Sequence, residues 1–103
     1  MKLVRIKMSI SGLTEPEARG GLDDLVAEFE LRPWIIKPAV AWAPESHRLI
    51  VIAHYAGESL EACRRAASDE IWDCVVACIA FSSDDVRFDI ENVEAVTSAE
   101  PET

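Results

Sequence analysis

The sequence lacks a long apolar run, a second pair of cysteines and, in its second half, positive charge; each absence narrows what the chain can do. No stretch approaches the roughly 18 consecutive apolar residues of a membrane-spanning helix, so no membrane partner is expected. The first residues, Met1-Lys2-Leu3-Val4-Arg5-Ile6-Lys7, interleave charge with apolar side chains, unlike a secretory leader. The three cysteines are an odd number, which suits a reducing compartment, and a cytoplasmic protein is expected.

Positive charge is scarce where it would matter for nucleic acid. Residues 1–50 carry seven Lys/Arg and seven Asp/Glu, whereas residues 51–103 carry three and twelve, so the second half holds the whole net charge of −9. Such a field repels phosphate backbones and favours solubility or a basic protein partner. The RNA-recognition octapeptide, K/R-G-F/Y-G/A-F-V-x-F/Y, is matched by Arg48-Leu49-Ile50-Val51-Ile52-Ala53-His54-Tyr55 only at its two ends. The stacking aromatics are missing, and nucleic-acid binding is not expected.

What is present is a clear alternation of patterns. Val4, Ile6, Met8 and Ile10 have a period of two and read as a half-buried strand. Thr14 stands three residues before Glu17, the capping-box spacing, and Pro16 suits a first helical turn. Leu22, Leu25, Val26 and Phe29 then form one apolar helix face, weakened by Gly20-Gly21. Arg32-Pro33 ends the helix.

Trp34, Ile36, Val40 and Trp42 alternate with Ile35, Lys37, Ala39 and Ala41, which turns both tryptophans toward the core; Pro38 marks an edge strand. After a hairpin loop at Ala43–Ser46, the run to Tyr55 is apolar on both sides and reads as a central strand. Ser59 caps a second helix carrying Leu60, Cys63, Ala67, Ile71, Cys74, Cys78 and Phe81, with Glu61–Arg65 and Arg65–Asp69 as supporting ion pairs. Val86, Phe88 and Ile90 form a last strand, whose Asp89 and Glu91 are expected beside Arg5 and Lys7.

The order βαββαβ predicts an α+β fold of the ferredoxin-like kind. A four-stranded antiparallel sheet, order 4-1-3-2, would carry both helices on one face. One domain over residues 1–96 and a disordered acidic tail over 97–103 are expected.

The chemistry is sparse. Cys63, Cys74 and Cys78 fall on one arc of the second helix with Ala67 and Ile71, so they read as small core residues rather than a zinc or redox site. No metal and no cofactor are expected. His54, Tyr55 and Glu58 lie close in sequence at a strand end and are the candidate acid–base group. Trp72, Val76 and Ile79 point away from the cysteine arc and are one candidate interface of a homodimer; the other is the open half-face of the second and third strands, with Ile35, Ala39 and Ala41.

The chain therefore reads as a non-catalytic, acidic protein-interaction or regulatory module. Two alternatives stand beside it. One is a small-molecule-binding regulatory domain whose Gly12-Leu13-Thr14 turn receives an anion; the other is a small enzyme using His54.

Overall fold

Four strands and two helices alternate in a computed structural model that describes residues 2–96, so the expected tail at 97–103 lies outside the described residues. They are β1 (Lys2–Ser11), α1 (Glu15–Glu30), β2 (Ile36–Ala43), β3 (Arg48–Gly57), α2 (Leu60–Cys78) and β4 (Arg87–Val96). The fold is α+β. Its single antiparallel sheet runs β2-β3-β1-β4, which from the other edge reads 4-1-3-2.

One sheet face is the core. Val4, Ile6, Met8 and Ile10 of β1 and Leu49, Val51, Ala53 and Tyr55 of β3 are buried there, packed with Leu25 and Phe29 of α1 and with Cys63, Ala67, Ile71, Cys74 and Val75 of α2. The alternation of β1 and β3 is thus real burial, one face to the helices and one away from them. Thr14 caps α1 as its spacing foretells: its N–H donates to Glu17 Oε1 at 2.9 Å, and Glu17 N–H donates back to Thr14 Oγ1 at 3.2 Å. Ser59 caps α2, accepting from the Ala62 N–H at 3.1 Å, and the helix runs through Ser68-Asp69 without a break.

The buried side of α1 is Ala18, Gly21, Leu25 and Phe29, with Leu22 partly covered and Val26 exposed. Gly21 explains the rotation from the expected face. A Cβ there would lie 2.6 Å from the Cys78 carbonyl oxygen, so the absence of a side chain lets α1 approach the end of α2.

Two bulges overturn details of the predicted registers. In β2 the pairing passes from Ile36↔His54 to Ala39↔Ile52, one residue more on β2 than on β3. Lys37 takes a φ of 48° just before Pro38, a position where the right-handed helical region is disfavoured. The extra residue reverses the facing of everything before it. Ile35 therefore enters the core at 3% exposure, Trp34 is 56% exposed, and Ile36 joins the open face; of the two tryptophans only Trp42 is buried.

The second bulge lies in β4, where the pairing jumps from Met8↔Ile90 to Lys7↔Asn92 and leaves Glu91 unmatched. Arg5 consequently pairs with Glu94 at 3.2 Å rather than with Asp89 or Glu91, and Lys7 faces Asn92. Glu91 instead takes Arg48 of β3 at 2.9 Å and the hydroxyl of Ser9, which is fully buried on the open face.

Candidate functional site

Helix α2 presents its polar side at two places, and they differ in whether the carboxylates are already satisfied. Toward β2 and β3, Glu70 is enclosed by donors. Tyr55 Oη donates to it at 2.8 Å, the Trp34 indole N–H at 2.8 Å, and Arg32 Nε lies 3.2 Å away. Arg32 also holds Glu28 of α1. Burial first, then the Glu70 carboxylate, pushes the Tyr55 hydroxyl far above its ordinary range, so it stays protonated and donating. Burial likewise raises the thiol of nearby Cys74 to about 11. A carboxylate filled by three donors and a thiol that keeps its proton make a clasp between β3, α2 and the end of α1 rather than a reactive group.

On the other side of α2 the carboxylates are open. Asp69 and Asp73 stand one helical turn apart with Trp72 between them, so all three project from one side of the helix. Together with Ser68 and with Phe88 of β4 they line a cleft of about 560 Å³ between the helix and the sheet edge. Its floor is aromatic: the ring centroid of Trp72 is 5.7 Å from that of Phe88 and 6.3 Å from that of Phe81. Among the described residues neither Asp69 nor Asp73 makes an ion pair, and the same holds for Asp89 next along β4. The expected Arg65–Asp69 pair does not form, because Arg65 turns back to Glu61, 3.6 Å away.

The residues singled out by sequence fall elsewhere. His54 and Tyr55 are neighbours on β3 and so face opposite sides of the sheet; Nδ1 of His54 lies 3.1 Å from the Ile36 carbonyl oxygen on the open face, while Tyr55 is in the core. Glu58 is exposed in the turn beyond β3. The three do not form one acid–base group. Of the expected interface, Ile79 at 2% exposure and Ile35 at 3% belong to the core, Trp72 is half-buried over Phe88, and only Val76 stands out, at 51%.

Cys63 and Cys74 are buried, whereas Cys78 is half-buried at the end of α2. Among the described residues no three His, Cys, Asp or Glu side chains gather as metal ligands would, and no helix is long and apolar enough to cross a membrane.

The anion site expected at Gly12-Leu13-Thr14 already holds a carboxylate of the chain. Glu17 accepts from the N–H groups of Thr14 and of Ser82, at 2.9 and 3.3 Å, and these backbone donors hold its pKa below the usual carboxylate value. The cleft was less visible in sequence. Its signal was an Asp-x-x-Trp-Asp spacing on a helix, which reads first as a solvated turn. Compared with known proteins, the chain matches no family model, and no curated protein or solved structure resembles it significantly.

Proposed function

We propose that this chain is a non-catalytic protein-interaction module that binds a basic partner. The observation that carries the reading is the open, aromatic-floored cleft of α2 and β4, bordered by carboxylates that no cation among the described residues neutralises. A carboxylate pair beside an indole face suits lysine or arginine, which gains both a charge partner and a cation–π contact. The acidic excess of the second half extends the same field and would speed encounter with a basic surface.

The connectivity and the neighbour order of the strands support a ferredoxin-like arrangement, in which α2 and the β4 edge form one flank of the molecule. The alternatives have weaker support. Glu17 occupies the helix end that an anionic small molecule would need, and His54 is separated from Tyr55 by the sheet. A homodimer keeps one surface in its favour: the bulge of β2 adds Ile36 to Ala39, Ala41, Ile50 and Ile52 on the open face. Sedimentation equilibrium decides that point separately.

The test is binding of oligolysine by isothermal calorimetry at low and high salt, with the triple variant Asp69→Asn, Asp73→Asn, Asp89→Asn as comparison. Salt-sensitive binding that the triple variant loses is the expected result. Equal binding by the variant overturns the reading.

A further inference from the structure

The sheet has two edges, and they are built differently. On β2 the edge is blunted: Pro38 has no N–H to offer, and the bulge at Lys37 breaks the regular ladder. The β4 edge runs ten residues, Arg87–Val96, with no proline, and its own bulge at Glu91 divides it into the regular stretches Arg87–Ile90 and Asn92–Val96. Its outer backbone groups are a ready template for another strand.

The side chains beside that edge specify what can pair with it. On the helix side Phe88, Ile90 and Val93 are only partly covered, and of these Phe88 also lines the Trp72 cleft. On the open side Asp89, Glu91 and Glu94 are exposed. Glu91 and Glu94 are each held by one arginine, Arg48 and Arg5, whereas Asp89 has no cation partner among the described residues. A second copy of β4 would bring a second set of these acids to the same face with only Arg87 to offset them, and like charges across strands repel. The edge therefore disfavours self-pairing and favours an occupant of the opposite sign.

We propose that the edge of β4, which pairs with no further strand among the described residues, receives an extended basic segment of a partner protein as a fifth strand, with one lysine or arginine seated between Asp69 and Asp73 over Trp72. Main-chain hydrogen bonds to β4 supply the pairing. Along Arg87–Ile90 alternate side chains of the segment meet Phe88 and Ile90 on one side and Asp89 on the other, which selects alternating apolar and basic residues; past the bulge at Glu91 the phase shifts by one residue to reach Val93. This rests on the reading of the chain as a module for basic partners and adds where, and in what conformation, the partner binds.

The test is an amide-resolved NMR titration of the full chain with an alternating lysine–valine decapeptide. A copy N-methylated on every second amide keeps the charge but cannot pair as a strand. Expected are shifts along Arg87–Val96 and at Ser68–Asp73, loss of those shifts with the methylated peptide, and about tenfold weaker binding by Asp69→Asn/Asp73→Asn. Both aspartates line an open cleft, so the variant leaves the core intact.

Equal binding of the methylated peptide, or shifts centred on β2, overturns the strand pairing while leaving a basic-partner module standing. No binding of any lysine peptide at low salt overturns both.

Discussion

Tyr55 of β3 donates its hydroxyl to Glu70 of α2 at 2.8 Å, tying the middle of the sheet to the middle of the longer helix. Trp34 and Arg32 fill the rest of the same carboxylate. Tyr55→Phe removes one donor and leaves Glu70 two, so it should cost about 1 kcal/mol in urea unfolding. Glu70→Ala strands the buried Tyr55 hydroxyl as well and should cost about 1–3 kcal/mol. Adding Tyr55→Phe to Glu70→Ala should then cost less than it does alone. Additive losses would show that the hydrogen bond contributes nothing net.

Two adjacent glycines should respond in opposite directions. A Cβ at Gly20 meets no atom within 4 Å, so Gly20→Ala should stabilise the chain by about 0.5–1 kcal/mol through helix propensity and a less flexible unfolded state. A Cβ at Gly21 would sit 2.6 Å from the Cys78 carbonyl oxygen and 2.7 Å from Ile79. Because backbone must give way, Gly21→Ala should destabilise by about 1–3 kcal/mol. Thermal unfolding of the two variants side by side checks both signs, and a gain from Gly21→Ala would mean the helices cross further apart.

Much of the fold was legible because the strongest signals are local and periodic. The facing of β1 and β3, the Thr14–Glu17 cap, the proline-marked edge and the arc of Cys63, Ala67, Ile71 and Cys74 are all properties of spacing. The misread parts share another cause. A bulge adds one residue to a strand without any obligatory composition, so the phase of Trp34, Ile35 and Ile36 and the partner of Arg5 could not be read from alternation. Helix ends have the same character: Ile79 is covered because α2 stops at Cys78 and leaves Ile79 in extended backbone, where Gly21 lets α1 come close to it, a long-range fact absent from the helical spacing. The candidate site was illegible for a related reason. Asp69 and Asp73 gain meaning only when β4 brings Phe88 against Trp72, across a separation that no local pattern records.

The cysteines should be separable by reactivity and by pH. Cys63 and Cys74 are buried, so a neutral-pH thiol reagent should modify half-buried Cys78 first and the other two only as the chain opens. Burial raises the Cys74 pKa from 9.0 to about 11, so the folded chain keeps a proton that the unfolded chain releases. That contribution is fully present below pH 9 and is lost as the pH rises toward about 11. Cys74→Ala should lower stability at neutral pH through the cavity, yet flatten its decline over this window. An unchanged alkaline slope, measured by urea midpoints, would show that the thiol titrates alike in both states.

Glu17 should control the acid side. Its carboxylate accepts the N–H groups of Thr14 and Ser82, joining the start of α1 to the segment between α2 and β4. The Thr14 backbone hydrogen bond, ahead of the smaller opposing effect of burial, holds its pKa below 4.5 in the folded chain. Its stabilisation is therefore present above pH 4.5 and disappears as the pH falls through the lower folded value. Glu17→Gln keeps an oxygen for only one of the two N–H groups, since Thr14 donates to Oε1 and Ser82 to Oε2, and it cannot titrate. It should reduce stability at neutral pH and make the curve shallower below pH 4.5, where the two proteins converge. Divergence of the curves at low pH would place the acid sensitivity at another carboxylate.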